Sequence, residues 1–255
     1  MLPDCIVVVT GGASGIGFEI TARIVRSGAT AIVWDRDSEA LRKCDEVLKG
    51  KVVCRRVDVS SAEEVMRAFE SLRESGFAPT HLVNNAGVIG RRRKISMIES
   101  TDIDHVVNVN FKGVVYCTRY FLDYRRQDKR SSIVNLTSIA ARTGGMPGNS
   151  LYAASKGAIS SFTIASAKEL APTVRVNAIA PGIIDTPIQT DVFASSTNLS
   201  SMTDYVPMRR LGAAEEIASA VFWLLSDDAS YVTGTVLDVD GGVSTPLWAP
   251  AWRTP

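Results

Sequence analysis

The chain is poor in the residues that build metal and disulfide sites. Its 255 residues include 4 cysteines and 2 histidines. Cys5, Cys44, Cys54 and Cys117 form no Cys-x-x-Cys pair, and His81 and His105 stand apart. No zinc-ligand spacing results, and no metal is expected. Scattered thiols argue against a disulfide framework and for a reducing, cytoplasmic setting. An excess of one charge is also missing: 28 basic and 27 acidic side chains leave a formal net charge of +1. That gives no bulk field toward nucleic acid or a membrane surface, and neither is expected as a partner. No apolar run approaches the length of a membrane helix. Met1-Leu2-Pro3-Asp4 leads into an apolar strand without a basic segment and long apolar core, so no secretory signal is expected. Arg253-Thr254-Pro255 matches no peroxisomal or retention signal. Internal repeats, linkers and low-complexity tracts are absent.

What remains is an ordinary globular composition, 45% hydrophobic and 22% charged, at a length that suits one α/β domain. Short apolar runs alternate with longer amphipathic ones. Residues 5–10, 29–34, 51–57, 81–84, 132–137, 174–179 and 235–239 read as strands. They are nearly all apolar, as strands covered on both faces must be. Residues 15–27, 38–49, 61–75, 101–126, 150–170 and 214–226 read as helices. Ser60-Ser61-Ala62-Glu63-Glu64 carries an N-cap signal followed by early acidic residues. Strand–helix alternation throughout predicts a doubly wound parallel sheet of seven strands, with helices on both faces. The expected layout is one domain over residues 1–243 and a C-terminal tail over 244–255. A long insertion at about 185–208, Ser/Thr-rich at its centre, is the candidate substrate lid.

Gly11, Gly15 and Gly17 fall where the first strand turns into the first helix. Such a turn favours residues without Cβ. It also brings backbone N–H groups and the helix N-terminus toward a pyrophosphate. Asp35 ends the second strand, about 20 residues on, where a carboxylate accepts hydrogen bonds from the adenosine ribose. Like charge there disfavours a 2′-phosphate, so NAD is expected over NADP. Arg36 is the counter-argument, since it could grip that phosphate, and a plain helix-capping turn at Asp35-Arg36-Asp37 is the bland alternative. Asp58-Val59 and Asn84-Asn85-Ala86-Gly87 follow the third and fourth strands, at the edge where open α/β sheets bind ligands.

Tyr152 and Lys156 are four residues apart in a helical pattern and so share one face. Ser138, after the fifth strand, would face the same crevice. Oxidising an alcohol needs a base for the hydroxyl proton while hydride leaves carbon. A free tyrosine titrates near pH ~10, so roughly one in a thousand is phenolate at neutral pH. An ammonium about 5 Å away, at an effective dielectric of ~20, is worth roughly 3 kcal/mol, or about two pKa units. The tyrosine then becomes a usable general base. Ser138 could donate to the substrate oxygen as charge develops there. Asn110, within Val107-Asn108-Val109-Asn110-Phe111, is a poor interior helix residue. It is either exposed or a placed polar group.

Taken together, Thr10–Gly17, Asn84–Gly87, Asn110, Ser138, Tyr152 with Lys156, Pro181-Gly182 with Thr186, and Asp238-Val239-Asp240-Gly241-Gly242 resemble the short-chain dehydrogenase/reductase family over nearly the whole chain. The resemblance implies a Rossmann-type fold and a catalytic tetrad of Asn110, Ser138, Tyr152 and Lys156. Tyr152 would be the general acid/base. Lys156 would lower its pKa and hold the nicotinamide ribose. Ser138 would polarise the substrate oxygen, and Asn110 would fix a water in the proton relay. Gly11, Ser14, Gly15, Ile16, Gly17, Asp35, Asp58, Val59, Asn84, Ala86 and Gly87 would contact the dinucleotide. Tyr152, Lys156, Pro181, Gly182, Ile184 and Thr186 would seat its nicotinamide end. Family members are commonly dimers or tetramers, so a homotetramer or homodimer is expected.

Substrate identity should reside in the loops 88–97, 143–151 and 185–208. The last contributes Ile188, Val192, Phe193, Leu199, Met202 and Tyr205. Arg91-Arg92-Arg93-Lys94 either draws an anionic substrate or is a solvated loop. Trp248 and Trp252 could cover the pocket or pack an interface. The leading expectation is an NAD-dependent oxidoreductase of secondary alcohols and ketones. An NADPH-dependent ketoreductase, a non-catalytic nucleotide-binding sensor and a purely structural oligomer subunit are the alternatives.

Overall fold

The computed structural model describes residues 4–186 and 203–245. In chain order, β1 (Ile6–Thr10), α1 (Gly15–Arg26), β2 (Thr30–Asp35), α2 (Ser38–Val47), β3 (Val52–Arg56), α3 (Ala62–Glu74) and β4 (His81–Asn84) form the first half. Then follow α4 (Ser100–Val107), α5 (Gly113–Tyr124), β5 (Ser131–Leu136), α6 (Ala140–Thr143), α7 (Ser150–Leu170), β6 (Val174–Pro181), α8 (Ala214–Leu225) and β7 (Val236–Val239). The seven strands form one sheet in the order β3-β2-β1-β4-β5-β6-β7. Every pairing is parallel. This is the expected doubly wound Rossmann-type sheet.

Strand alternation builds two cores from one apolar sequence. Val7 and Val9 of β1 join Ile20, Ile24, Ile217 and Val221 on the face covered by α1 and α8. Val8, between them, joins Trp34, Phe69, Leu82, Phe121 and Ile133 on the face covered by α3 and α5. Both faces are dry, which is why the strands carry almost no polar alternation. The helix starts are specified locally. The Asp37 carboxylate accepts from the N–H groups of Glu39 and Ala40 at the start of α2. Ser61 Oγ accepts from the Glu64 N–H at the start of α3.

The order reverses between β1 and β4, since the chain works outward to β3 and then returns. The loops leaving neighbouring carboxyl ends part at that point and open a crevice. The crevice encloses about 1040 Å³.

One expected helix is broken. Residues 101–126 do not run as a single element: α4 ends at Val107, one π-helical turn spans Asn108–Lys112, and α5 follows. The extra residue in that turn rotates Asn110 inward, where it is wholly buried. Such turns concentrate at functional sites. The short helix α6 between Ser138 and Tyr152 is also new relative to the sequence pattern. The centre of the expected lid, including Ile188, Val192, Phe193, Leu199 and Met202, lies outside the described residues, as do Trp248 and Trp252.

Candidate active site

The glycine turn after β1 forms one end of the crevice. Gly11 and Gly15 adopt φ of +59° and +51°, a region open to glycine and costly for other residues. Gly17 is needed for space. A Cβ there would stand 1.9 Å from the Gly11 carbonyl oxygen. Asp35 closes this end: its carboxylate accepts from the Ala13 N–H at 3.3 Å and the Asp37 N–H at 3.1 Å. The carboxylate therefore braces the glycine turn as well as facing the crevice. Asp58 is set by Ser60, whose N–H and hydroxyl donate to it at 2.9 and 2.7 Å. Burial pushes the Asp58 pKa up, but the Ser60 hydrogen bonds, helped by Arg36 and Arg56, bring it below the ordinary value.

Of the residues expected at the cofactor, Gly11, Ser14, Gly15, Ile16, Gly17, Asp35, Asp58, Val59, Ala86, Gly87, Tyr152, Lys156, Pro181, Gly182, Ile184 and Thr186 line this one crevice. Asn84 does not. It is buried in the sheet, where its amide donates to Asn135 Oδ1 at 2.8 Å and Thr118 Oγ1 at 3.2 Å. The strand's last residue points into the core, and the next one, Asn85, takes the place at the crevice wall. Asn85 Nδ2 donates to the carbonyls of Thr10 and Gly11 at 3.0 and 2.8 Å, tying the glycine turn to β4. The alternation of strand side chains is the signal that separates the two asparagines.

The other end of the crevice carries Ser138, Tyr152 and Lys156. Lys156 Nζ sits 5.8 Å from the Tyr152 ring centre and donates to the Leu136 carbonyl at 2.7 Å. Its main-chain carbonyl accepts from Thr137 Oγ1 at 2.7 Å, which locks α7 against β5. Gly87 leaves room for the ammonium: a Cβ there would lie 3.3 Å from Lys156 Nζ. Burial lowers the Lys156 pKa to about 8, so the ammonium persists at neutral pH.

One expectation changes here. Burial raises the Tyr152 pKa, and the Ser138 hydrogen bond only partly opposes that. The protein's own groups do not deliver the two-unit depression expected from Lys156. A phenolate in an apolar wall loses its hydration. Asn110 does not line the crevice. Its Oδ1 accepts from the Val88 N–H at 2.8 Å, and its Nδ2 donates to the Val88 carbonyl and to Ser155 Oγ, both at 2.9 Å. Ser155 Oγ in turn donates to the Tyr152 carbonyl at 2.7 Å. Both side-chain donors are thereby committed to protein partners. It clamps the loop after β4 to the turn of α7 that bears Tyr152.

The crevice also takes in residues that the sequence pattern did not single out, among them Ile183 and Val243. These come from loops with no motif spacing, so only the folded chain brings them together.

A glycine turn against a helix N-terminus, a carboxylate lining the same crevice and a tyrosine–lysine–serine wall define a dinucleotide-dependent oxidoreductase. The family profile described as "Enoyl-(Acyl carrier protein) reductase" matches residues 11–244. The chain is 38% identical over 240 residues to the 3-oxoacyl-[acyl-carrier-protein] reductase FabG of Thermotoga maritima, covering 92% of this chain and 96% of that one. It is 31% identical over 239 residues to the 2-dehydro-3-deoxy-L-rhamnonate dehydrogenase (NAD(+)) of a Sphingomonas species, covering 93% and 94%. The crystal structure of levodione reductase superposes with a TM-score of 0.90 at 32% identity, over 96% of this chain and 100% of that one. The chain belongs to the short-chain dehydrogenase/reductase family. It is an oxidoreductase acting on CH–OH groups and their carbonyl counterparts, with a nicotinamide dinucleotide as cofactor. Among the described residues, no helix is long and apolar enough to cross a membrane, and no His/Cys/Asp/Glu cluster could hold a metal.

Proposed function

We propose that the protein is an NAD-dependent dehydrogenase of a secondary alcohol, or reductase of the matching ketone, with Tyr152 as general acid/base. The observation that carries this reading is the single crevice with the glycine turn and Asp35 at one end and Ser138, Tyr152 and Lys156 at the other. The residues fit the dinucleotide: the cradle over Gly17 admits no Cβ, and the α1 N-terminus has no acidic residue in its first turn to repel a pyrophosphate. When bound, the cofactor supplies the hydride acceptor or donor.

In the oxidation direction the carbinol carbon loses hydride and becomes a carbonyl carbon, while the hydroxyl proton passes to Tyr152. Ser138 holds the substrate oxygen against the phenol. Lys156 supplies positive charge and positions the ribose. Burial raises the Tyr152 pKa and the Ser138 hydrogen bond lowers it, and the positive charge of Lys156 favours the phenolate that accepts the proton. Asn110 is a positioning residue that fixes Val88 and, through Ser155, the Tyr152 turn. The segment 185–208 is the substrate lid, and Tyr205 lines the crevice from its described edge. Asp35 supports NAD over NADP through its charge, although Arg36 borders the same end. The four free cysteines fit a cytoplasmic setting. By analogy with the family, the working form is a homodimer or homotetramer.

The test is nicotinamide absorbance with purified protein, NAD or NADP, and a panel of polyols, hydroxysteroids, aryl alcohols and hydroxy acids. One substrate class should reduce NAD, and Tyr152→Phe should abolish the reaction. Tighter NADP binding would overturn the cofactor assignment. Turnover no faster than that of Tyr152→Phe across the panel would leave a nucleotide-binding sensor.

A further inference from the structure

The basic run Arg91–Lys94 is not one solvated face. Arg93 is turned into the protein. It pairs with Asp102 at 2.7 Å and Glu99 at 3.0 Å, and its N–H donates to the Gly148 carbonyl at 3.2 Å. That backbone bond ties the loop after β4 to the loop before α7. Arg91, Arg92 and Lys94 are all exposed. Arg92 lies against the tie, with its Cβ 3.4 Å from where a Gly148 Cβ would be. It lines the same crevice as Ser138 and Tyr152.

Arg92 has a cation's capacity and little to spend it on. Its Nη2 reaches the Met146 thioether at 3.3 Å, a weak acceptor, and among the described residues no carboxylate forms an ion pair with it. A guanidinium carries five donors in a fork that fits a carboxylate. Asn149 lines the crevice three residues before Tyr152. Its Oδ1 is buried without a hydrogen-bond partner, and its side chain makes no cap bond to α7. That oxygen has no accessible surface, so it offers no acceptor to a ligand in the crevice. Around these two groups the wall is largely apolar, formed by Val88, Ile89, Met146 and Pro147.

We propose that the substrate is a small hydroxy or oxo carboxylic acid. Arg92, at the rim of the crevice, holds its carboxylate. This rests on the oxidoreductase reading of the same crevice and narrows its substrate class. Arg93 is the structural member of the run, and Arg92 is the specificity-determining one.

The test is titration calorimetry on the full chain saturated with NAD. The ligands are oxo acids, which cannot react with the oxidised cofactor, each paired with its methyl ester. The acids should bind at least tenfold tighter than their esters, a preference of about 1.4 kcal/mol. Arg92→Met should bring the acid-to-ester ratio within about twofold of one, and Arg92→Lys should retain part of it. Thermal melts of each variant check the fold, and Arg92→Gln substitutes if Arg92→Met does not fold. Equal binding of acids and esters by the wild type, or an undiminished preference in Arg92→Met, overturns the assignment. Tighter binding of a coenzyme A thioester than of the free acid overturns it in favour of a phosphate-bearing carrier. An acid preference that depends on Arg92, without hydride transfer to any member of the hydroxy-acid panel, upholds the anion site and counts against the oxidoreductase reading instead.

Discussion

Gly17→Ala and Gly157→Ala are the same chemical change, each inside a helix, and the structure assigns them opposite signs. At Gly17 a Cβ would stand 1.9 Å from the Gly11 carbonyl oxygen and 2.5 Å from Asn85 Nδ2. Those two atoms are bonded to each other at 2.8 Å, so neither is the free end of a flexible side chain. Relief requires the turn or α1 to move by more than ~1 Å, and overpacking of this kind costs about 1–3 kcal/mol. Breaking the Asn85 bond adds about 1 kcal/mol, and the better helix propensity of alanine returns about 1 kcal/mol. The net loss is about 2 kcal/mol, or roughly 4–8 °C in melting temperature for a chain of this size. The displaced atoms belong to the cofactor cradle, so dinucleotide affinity should fall about tenfold or more. At Gly157 the nearest atom to a new Cβ is the Ala141 carbonyl oxygen, at an ordinary 3.9 Å. Alanine there should add about 0.5–1 kcal/mol. Thermal melts with and without cofactor, together with a fluorescence titration of NADH, measure both effects. A Gly17→Ala variant that melts at or above the wild type and binds cofactor normally would refute the close-approach argument.

Asn110→Leu leaves the Val88 N–H and carbonyl and the Ser155 hydroxyl short of a partner. It should cost at least about 3 kcal/mol, seen as a melting temperature lower by roughly 10 °C, and an unshifted melt would contradict the clamp. His81 is buried between Thr80 Oγ1 and the Leu225 carbonyl, and burial pushes its pKa down from 6.5 to about 4. The unfolded chain therefore binds a proton that the folded chain refuses, and stability present above pH 6.5 is lost as pH falls toward 4. The loss is about 3 kcal/mol. Urea midpoints across that window should slope less in His81→Gln, and equal slopes would clear His81 of the effect. Because burial holds Tyr152 above its ordinary pKa, alcohol oxidation should accelerate from neutral pH into the alkaline range. Lys156→Met should move that rise to still higher pH, and a flat profile would exclude Tyr152 as the titrating base.

The chain's local patterns settle the sheet and the ends of the crevice. Seven doubly apolar runs can be satisfied only as strands covered on both faces, and β1, β2 and β4 form within a residue of where their patterns place them. Glycine spacing, Asp35 and the Tyr152–Lys156 interval are also local, because each depends on residues close in sequence around one turn or one helix face. The break at Asn108–Lys112 was not legible, since a helix pattern has the same periodicity whether or not one turn widens. Only packing against Val88 and Ser155 shows why Asn110 faces inward. The choice between Asn84 and Asn85, the direction of the Tyr152 pKa and the division of labour between Arg92 and Arg93 likewise belong to tertiary structure. Each depends on desolvation and on partners contributed by distant loops, and a linear sequence carries neither the dielectric around a group nor the distance to its partner.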